Sequence, residues 1–338
     1  MKRSYLALPL VIALIAVTVA CTPRDNAASS CTDGSRPIYR VPASPATHWP
    51  SSLLLLEDHT TVDAQARTFD DSVLDAQGFG IGVKFHNPVG SRNDLCMLGG
   101  TIASTIDPEN TPWETWHRVN GLTVLTTNFQ VVGTRITNQG DMIDFEDTAT
   151  NWKVTGVRTD GGGSSTSGYI HDDCIQNDGM NSGVVDDSKF DGCTVFMSSM
   201  DNSSPFVNGG TNRVEVKNSL VWLRPFHNSY NTTKYGFDRH GGFFKWAQTP
   251  ATDGVAPKLS VHDSVFRSDD PAAYGGNANG FLGLPPGTSC NNVTLVNTQT
   301  WPADELRSWT SQCTNLTLAT TATWNAKVSA WDSAHPTM

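Results

Sequence analysis

Short apolar stretches, each broken by one turn-prone residue, recur along this chain. They read QVVGTRI, KVTGVRT, VVDDSKF, EVKNSLV, SVHDSVF and LVNTQTW, with Gly133, Gly156, Asp187, Asn218, Asp263 and Asn297 at the break. Gly, Asn and Asp are the residues that tolerate a left-handed backbone, so each stretch predicts a strand, an αL bend and a second strand. Successive breaks lie 23 to 45 residues apart. Units of this size cannot bury an apolar face alone, so they must stack on one another, with loops absorbing the unequal spacing.

A second kind of segment follows each bend unit: DMIDFED, HDDCIQND, CTVFMSS, GGFFKW and GFLGL. Neighbouring side chains on a strand point to opposite faces. If Ile143, Ile175 and Phe244 face inward, then Asp144, Gln176 and Lys245 face outward, with Glu146 and Asp178 following on the same side. Stacked strands lie about 4.8 Å apart, so outward groups of successive coils can meet one ligand.

The strand–αL bend–strand unit resembles the right-handed parallel β-helix of the pectin-lyase-like superfamily, over residues 95–320. The resemblance implies an all-β chain, a single-stranded right-handed parallel β-helix with an N-terminal cap and variable loops. It also implies three short strands per coil, an αL bend between the second and third, and ligands along the first. Residues 31–94 then read as the cap and irregular segment, with a helix or loop around Asp58 to Gln77, and 95–338 as the β-helix with a C-terminal cap. PADELRSWTSQ predicts a short helix opened by Pro302 with Asp304 and Glu305 in its first turn, and LTLATTATW a last strand.

Lys2 and Arg3, an apolar run from Leu6 to Ala20 and then Cys21 read as an export signal over residues 1–20. Thr18-Val19-Ala20-Cys21 fits a bacterial lipobox loosely, which makes Cys21 a lipid-anchored residue and 21–30 a polar tether. Cleavage after Ala20 by ordinary signal peptidase, giving a secreted or periplasmic protein, is the alternative. Six cysteines remain, and an oxidising compartment permits them to pair in fifteen ways. Cys174 with Cys193 and Cys290 with Cys313 are the expected pairs, each about one coil apart, against two stacked core thiols for the first.

Charge narrows the partners. With 23 Lys and Arg against 33 Asp and Glu, nonspecific nucleic-acid binding is excluded. The stretch from Asp141 to Asp201 is acidic and that from Arg213 to Arg267 basic, a pairing suited to a cation beside an anionic ligand. A solvated acidic turn face gives the same composition. The triplet Asp172-Asp173-Cys174 resembles the polygalacturonase motif of the same superfamily, although no Gly-His-Gly or Arg-x-Lys follows. Turn amides satisfied by these aspartates are the structural counterpart.

The function expected is an exported, surface-tethered protein acting on or binding an acidic, uronate-containing polysaccharide by lyase-type β-elimination. Lys245 or Arg239 would abstract the proton α to the carboxyl, and His240 or Tyr235 would protonate the leaving oxygen. Asp144, Glu146, Asp173 or Asp178 would hold Ca²⁺. Gln176, Arg224, His227 and Trp246 would line the same groove, with Trp246 stacking on sugar. The alternatives are a noncatalytic glycan- or partner-binding module and a glycoside hydrolase using Asp172 and Asp173. A further structural reading puts Phe243, Phe244 and Trp246 in the core.

Overall fold

Three parallel sheets hold all the strands of the computed structural model, which describes residues 31, 34, 36–42, 56, 59–70, 80–85, 94–104, 119–137, 140–160, 173–199, 210–224, 242–246, 256–269 and 282–336. The chain visits them in a fixed order. Trp152–Thr155 lies in the ten-stranded sheet A, Arg158–Asp160 in the nine-stranded sheet C and Asp173–Asn177 in the six-stranded sheet B. The next coil then begins at Gly183–Asp186, directly beside Trp152–Thr155. The result is a right-handed parallel β-helix, the handedness that parallel crossovers almost always take.

The A-to-C corner is the bend read from the sequence. Gly133, Gly156, Asp187, Asn218 and Asp263 all have positive φ there, between 47° and 66°. Just past this corner a column of hydroxyls replaces lost backbone pairing. The amides of Val157, Ser188 and Ser219 donate to Ser188 Oγ, Ser219 Oγ and Ser264 Oγ of the following coil, at 3.1, 3.2 and 3.1 Å. One bend is displaced from expectation. Asn297 is also left-handed, at φ 61°, but it opens a 3₁₀ turn, and the corner of its coil is Asn292, at φ 52°. A second left-handed column, His59, Asp94, Asn128, Asn151 and Met180, marks the corner that leads into sheet A.

Inside, in-register columns fill the core. Sheet A contributes Val62, Met97, Val131, Val154, Val185, Val216, Val261 and Cys290, all buried. Sheet C contributes Phe69, Ile102, Ile136, Thr159, Phe190, Val221, Phe266 and Leu295. β-Branched and aromatic side chains suit a pleated surface of this kind. Both expected disulfides form, and Cys290 and Cys313 face each other in register on adjoining strands. Cys31 pairs with Cys96.

The stack begins before residue 95. Ile38–Arg40 and Thr61–Asp63 belong to sheet A, Thr68–Asp70 to sheet C and Gly80–Phe85 to sheet B. The stretch read as helix or loop around Asp58 to Gln77 thus carries two strands, turning at Ala66, φ 54°. The signal and tether, residues 1–30, lie outside the described residues.

At the far end, helix α1, Ala303–Gln312, opens after Pro302 with Asp304 and Glu305 in its first turn. Trp309 from α1 seals the core against Phe243 and Phe266. The segment LTLATTATW divides: Thr317–Ala319 is the last strand of sheet C, and Thr321–Ala334 is a helix, α2. Trp324, Val328 and Trp331 give α2 one apolar edge, which packs on Leu220, Val265 and Val296 of sheet C. Lys189 Nζ bonds Asp332 from beneath, and Trp331 Nε1 donates to the Asp187 carbonyl at 3.1 Å. His335 Nε2 lies 3.3 Å from Asp187.

Candidate functional site

Sheet B has no such cover among the described helices, and its outer face carries a row of polar groups. Each lies between two inward-facing residues. Lys84 is flanked by Val83 and Phe85, Thr123 by Leu122 and Val124, Asp144 by Ile143 and Phe145, and Lys245 by Phe244 and Trp246, all in the core. Gln176 and Ser198 sit likewise beside Ile175 and Met197. The register aligns the six side chains as Lys84, Thr123, Asp144, Gln176, Ser198 and Lys245. At one strand spacing per step the row is about 24 Å long, and Asp144 lies about 14 Å from Lys245.

The middle of this row is buried although it faces away from the core. Asp144 is 6% exposed, Thr123 2% and Ser198 1%. Asp144 Oδ1 and Thr123 Oγ1, on adjoining strands, have no hydrogen-bond partner. Asp144 Oδ2 receives only a long contact from Asn120 Nδ2, at 3.4 Å. Burial pushes the Asp144 carboxyl well above the usual carboxylate range. Glu146 and Asp178 push it further, Lys84 opposes them, and Asp173 adds a smaller push. In its protonated form such a carboxyl can both donate and accept a hydrogen bond.

The remaining expected metal ligands do not gather around it. Asp178 Oδ1 accepts from Gln176 Nε2 at 2.8 Å. Asp173 is buried at the start of its strand, its backbone N–H donating to Asp141 Oδ1 at 3.2 Å. Among the described residues no three His, Cys, Asp or Glu side chains converge as a metal-binding group. As arranged, Asp144, Glu146, Asp173 and Asp178 do not form a Ca²⁺ cage.

Two of the expected groove residues stand elsewhere. Trp246 is 5% exposed in the core, and its Nε1 donates to the Pro257 carbonyl at 2.9 Å. Arg224 follows the sheet C strand Leu220–Leu223. Its guanidinium pairs with Asp191 at 2.8 Å and lies over the Trp222 ring at 3.8 Å. Arg267 stacks on Trp222 at the same distance and pairs with Asp269. Arg224 is thus held on the flank of sheet C rather than beside Lys245. Tyr235, Arg239, His240, His227, His171 and Asp172 lie outside the described residues.

Sequence reasoning missed Lys84, Thr123 and Ser198. Alternation around Val83-Lys84-Phe85 and Leu122-Thr123-Val124 carries the signal for the first two, and Met197-Ser198 extends a strand already recognised. The fifth expected sheet B segment, at Gly280 to Leu284, forms no strand within its described part, though Leu282 and Leu284 are buried.

No protein-family model, curated protein or solved structure matches the chain.

Proposed function

We propose that the outer face of sheet B binds an extended acidic polysaccharide, and that the protein works outside the cytoplasm, tethered by a lipid on Cys21. The observation that carries this reading is the adjoining, buried and unpartnered pair Thr123 Oγ1 and Asp144 Oδ1. A buried polar atom without a partner costs free energy that a ligand hydroxyl recovers. Asp144, Thr123, Gln176 and Ser198 supply hydrogen-bonding contacts, while Lys84 and Lys245 stand at the two ends for ligand carboxylates. One strand step is close to the length of one sugar unit in an extended chain. The pectin-lyase-like resemblance, which places ligands along this sheet, supports the same face.

Cleavage on this reading is β-elimination. Lys245 takes the proton α to a uronate carboxyl, the carbon–oxygen bond at the β position breaks, and a carbon–carbon double bond remains. His240 or Tyr235, close to Lys245 in the sequence, would protonate the leaving oxygen. Asp144 stands too far along the row to serve as that acid, so its role is binding, and no step runs through Ca²⁺.

The test is calorimetric binding of uronate polysaccharides to the full chain, with ultraviolet absorbance of unsaturated ends followed in parallel. Binding that weakens in Asp144→Asn, with unsaturated product that vanishes in Lys245→Ala, is the expected result. Binding without product selects the noncatalytic reading. Absence of binding to every polysaccharide overturns the proposal, and loss of product on adding a Ca²⁺ chelator restores a metal.

A further inference from the structure

The two ends of the stack are finished differently. At the N-terminal edge of sheet A the strand Ile38–Arg40 is enclosed by Arg36, Pro37, Arg40 and Pro42, and the Arg40 side chain is 81% exposed. At the same end of sheet C, Arg67 and Asp70 bound the strand Thr68–Asp70. Charges and prolines at an edge oppose pairing with a further strand. The C-terminal edge has neither device. No charged residue and no proline occurs between Arg307 and Lys327, a stretch that includes both terminal strands, Cys313–Thr314 and Thr317–Ala319.

Although Trp309 seals the centre of the core at this end, the last inward position of sheet C is left open. Leu318 is the last member of the inward column of sheet C, in register with Leu295. Every earlier member is at most 1% exposed, whereas Leu318 is 55% exposed. Ile38, the other exposed large apolar residue among those described, differs in kind, since the inward column of sheet A begins with its neighbour Tyr39. Nor does α2 close the end. It leaves Thr320 and turns back onto the flank of sheet C, towards Lys189 and Asp187. Repeat stacks ordinarily need a polar terminal cap, and none follows Leu318 among the described residues.

We infer that the C-terminal coil is the interface with a second copy of this chain, joined end to end by antiparallel pairing of Thr317–Ala319 about a two-fold axis at Leu318. Head-to-tail stacking would bring this uncharged edge against Arg67 and Asp70 on sheet C, and against Arg40 and two prolines on sheet A. Self-pairing brings uncharged residues against uncharged ones, Thr317 opposite Ala319 and Leu318 opposite the second copy's Leu318. It buries the exposed Leu318 of both copies at once. A contact between identical patches closes at two copies and goes no further.

Sedimentation of the full chain across a dilution series tests this. The wild type is expected to be a dimer at tens of micromolar that dissociates on dilution. Leu318→Lys, and independently Thr317→Lys, should raise the dissociation constant by about a hundredfold or more, with an unchanged far-ultraviolet circular dichroism spectrum. Leu318→Cys should give an intermolecular disulfide under mild oxidation, and Ile38→Lys should leave the dimer intact. A monomeric wild type overturns the inference. So do filaments that lengthen with concentration, or a dimer lost in Ile38→Lys and kept in both edge variants.

Discussion

The outer faces of sheets B and C are built from the same alternating strands, yet they hold their charged groups in different ways. On sheet C the charges close on each other or on α2: Arg224 on Asp191, Arg267 on Asp269, Lys189 on Asp332, with Trp222 held between two guanidinium planes. On sheet B, Asp144 and Thr123 are as deeply buried and keep unpartnered oxygens. Buried polar atoms are normally hydrogen-bonded, so this orphaned pair in register is the feature on which the proposed ligand face rests. The difference also shows that the basic sector is not one open surface. Part of it, Arg224 and Arg267, is spent on fastening sheet C.

Three measurements would break or sharpen that contrast. The largest effect is expected from stopping the chain after Thr320. This removes Trp324 and Trp331 and uncovers Leu220, Val265 and Val296. A loss of about 5 kcal/mol follows from the two buried indoles alone, read as a lower denaturant midpoint.

Next comes a matched pair of carboxylate variants. Asp191→Ala leaves Arg224 and Arg267 stacked on Trp222 with one counter-charge fewer, and should cost about 3 kcal/mol. Asp144→Asn should cost far less, because burial already favours the uncharged form of this carboxyl and Asn keeps its shape. The pH dependence has a definite sign. Folded Asp144 titrates above its unfolded value, so the native state holds a proton that the unfolded chain has released. Its contribution to stability therefore grows as pH falls through the folded value towards the unfolded carboxylate range, and Asp144→Asn should remove that part of the slope. Equal losses from the two variants would erase the distinction between the faces.

The smallest effect belongs to His335. Burial pulls its pKa down, but hydrogen bonds to Asp187 and to the Trp331 carbonyl, with the charges of Asp187 and Asp332, outweigh this and raise it. A raised histidine stabilises most below its unfolded pKa and loses that contribution as pH climbs through the folded value. His335→Ala should therefore cost less than about 1 kcal/mol at pH 6 and nearly nothing at pH 8, by thermal unfolding.

Much of the coil was legible in the sequence because its corners demand rare backbone. Five of the six punctuating residues occupy the A-to-C corner, and the sixth, Asn297, has the same left-handed φ at a different corner. Residue type reports the dihedral but not which corner it serves. The second column went unread because His59 and Met180 are not residues one expects at positive φ. Alternation placed Asp144, Gln176 and Lys245 on one row correctly, since inward neighbours are apolar whichever coil they belong to. It could not place Arg224, because a strand pattern does not say which of three sheets a strand joins. Helix α2 did leave a signal. Trp324, Val328 and Trp331 recur at helical spacing, but the preceding LTLA pattern merges into it.

Helix α2 has a consequence for how the molecule comes apart. A solenoid is nearly one-dimensional, each coil touching only its neighbours, and such arrays fray from their ends one coil at a time. With 14 residues α2 is about 21 Å long, enough to lie across four strand steps, from the terminal coil back to Lys189. Peeling the last coil away would also strip the flank of every coil beneath the helix. The C-terminal half should thus melt as a single unit, and a protease added to partly denatured protein should find it whole or find it gone.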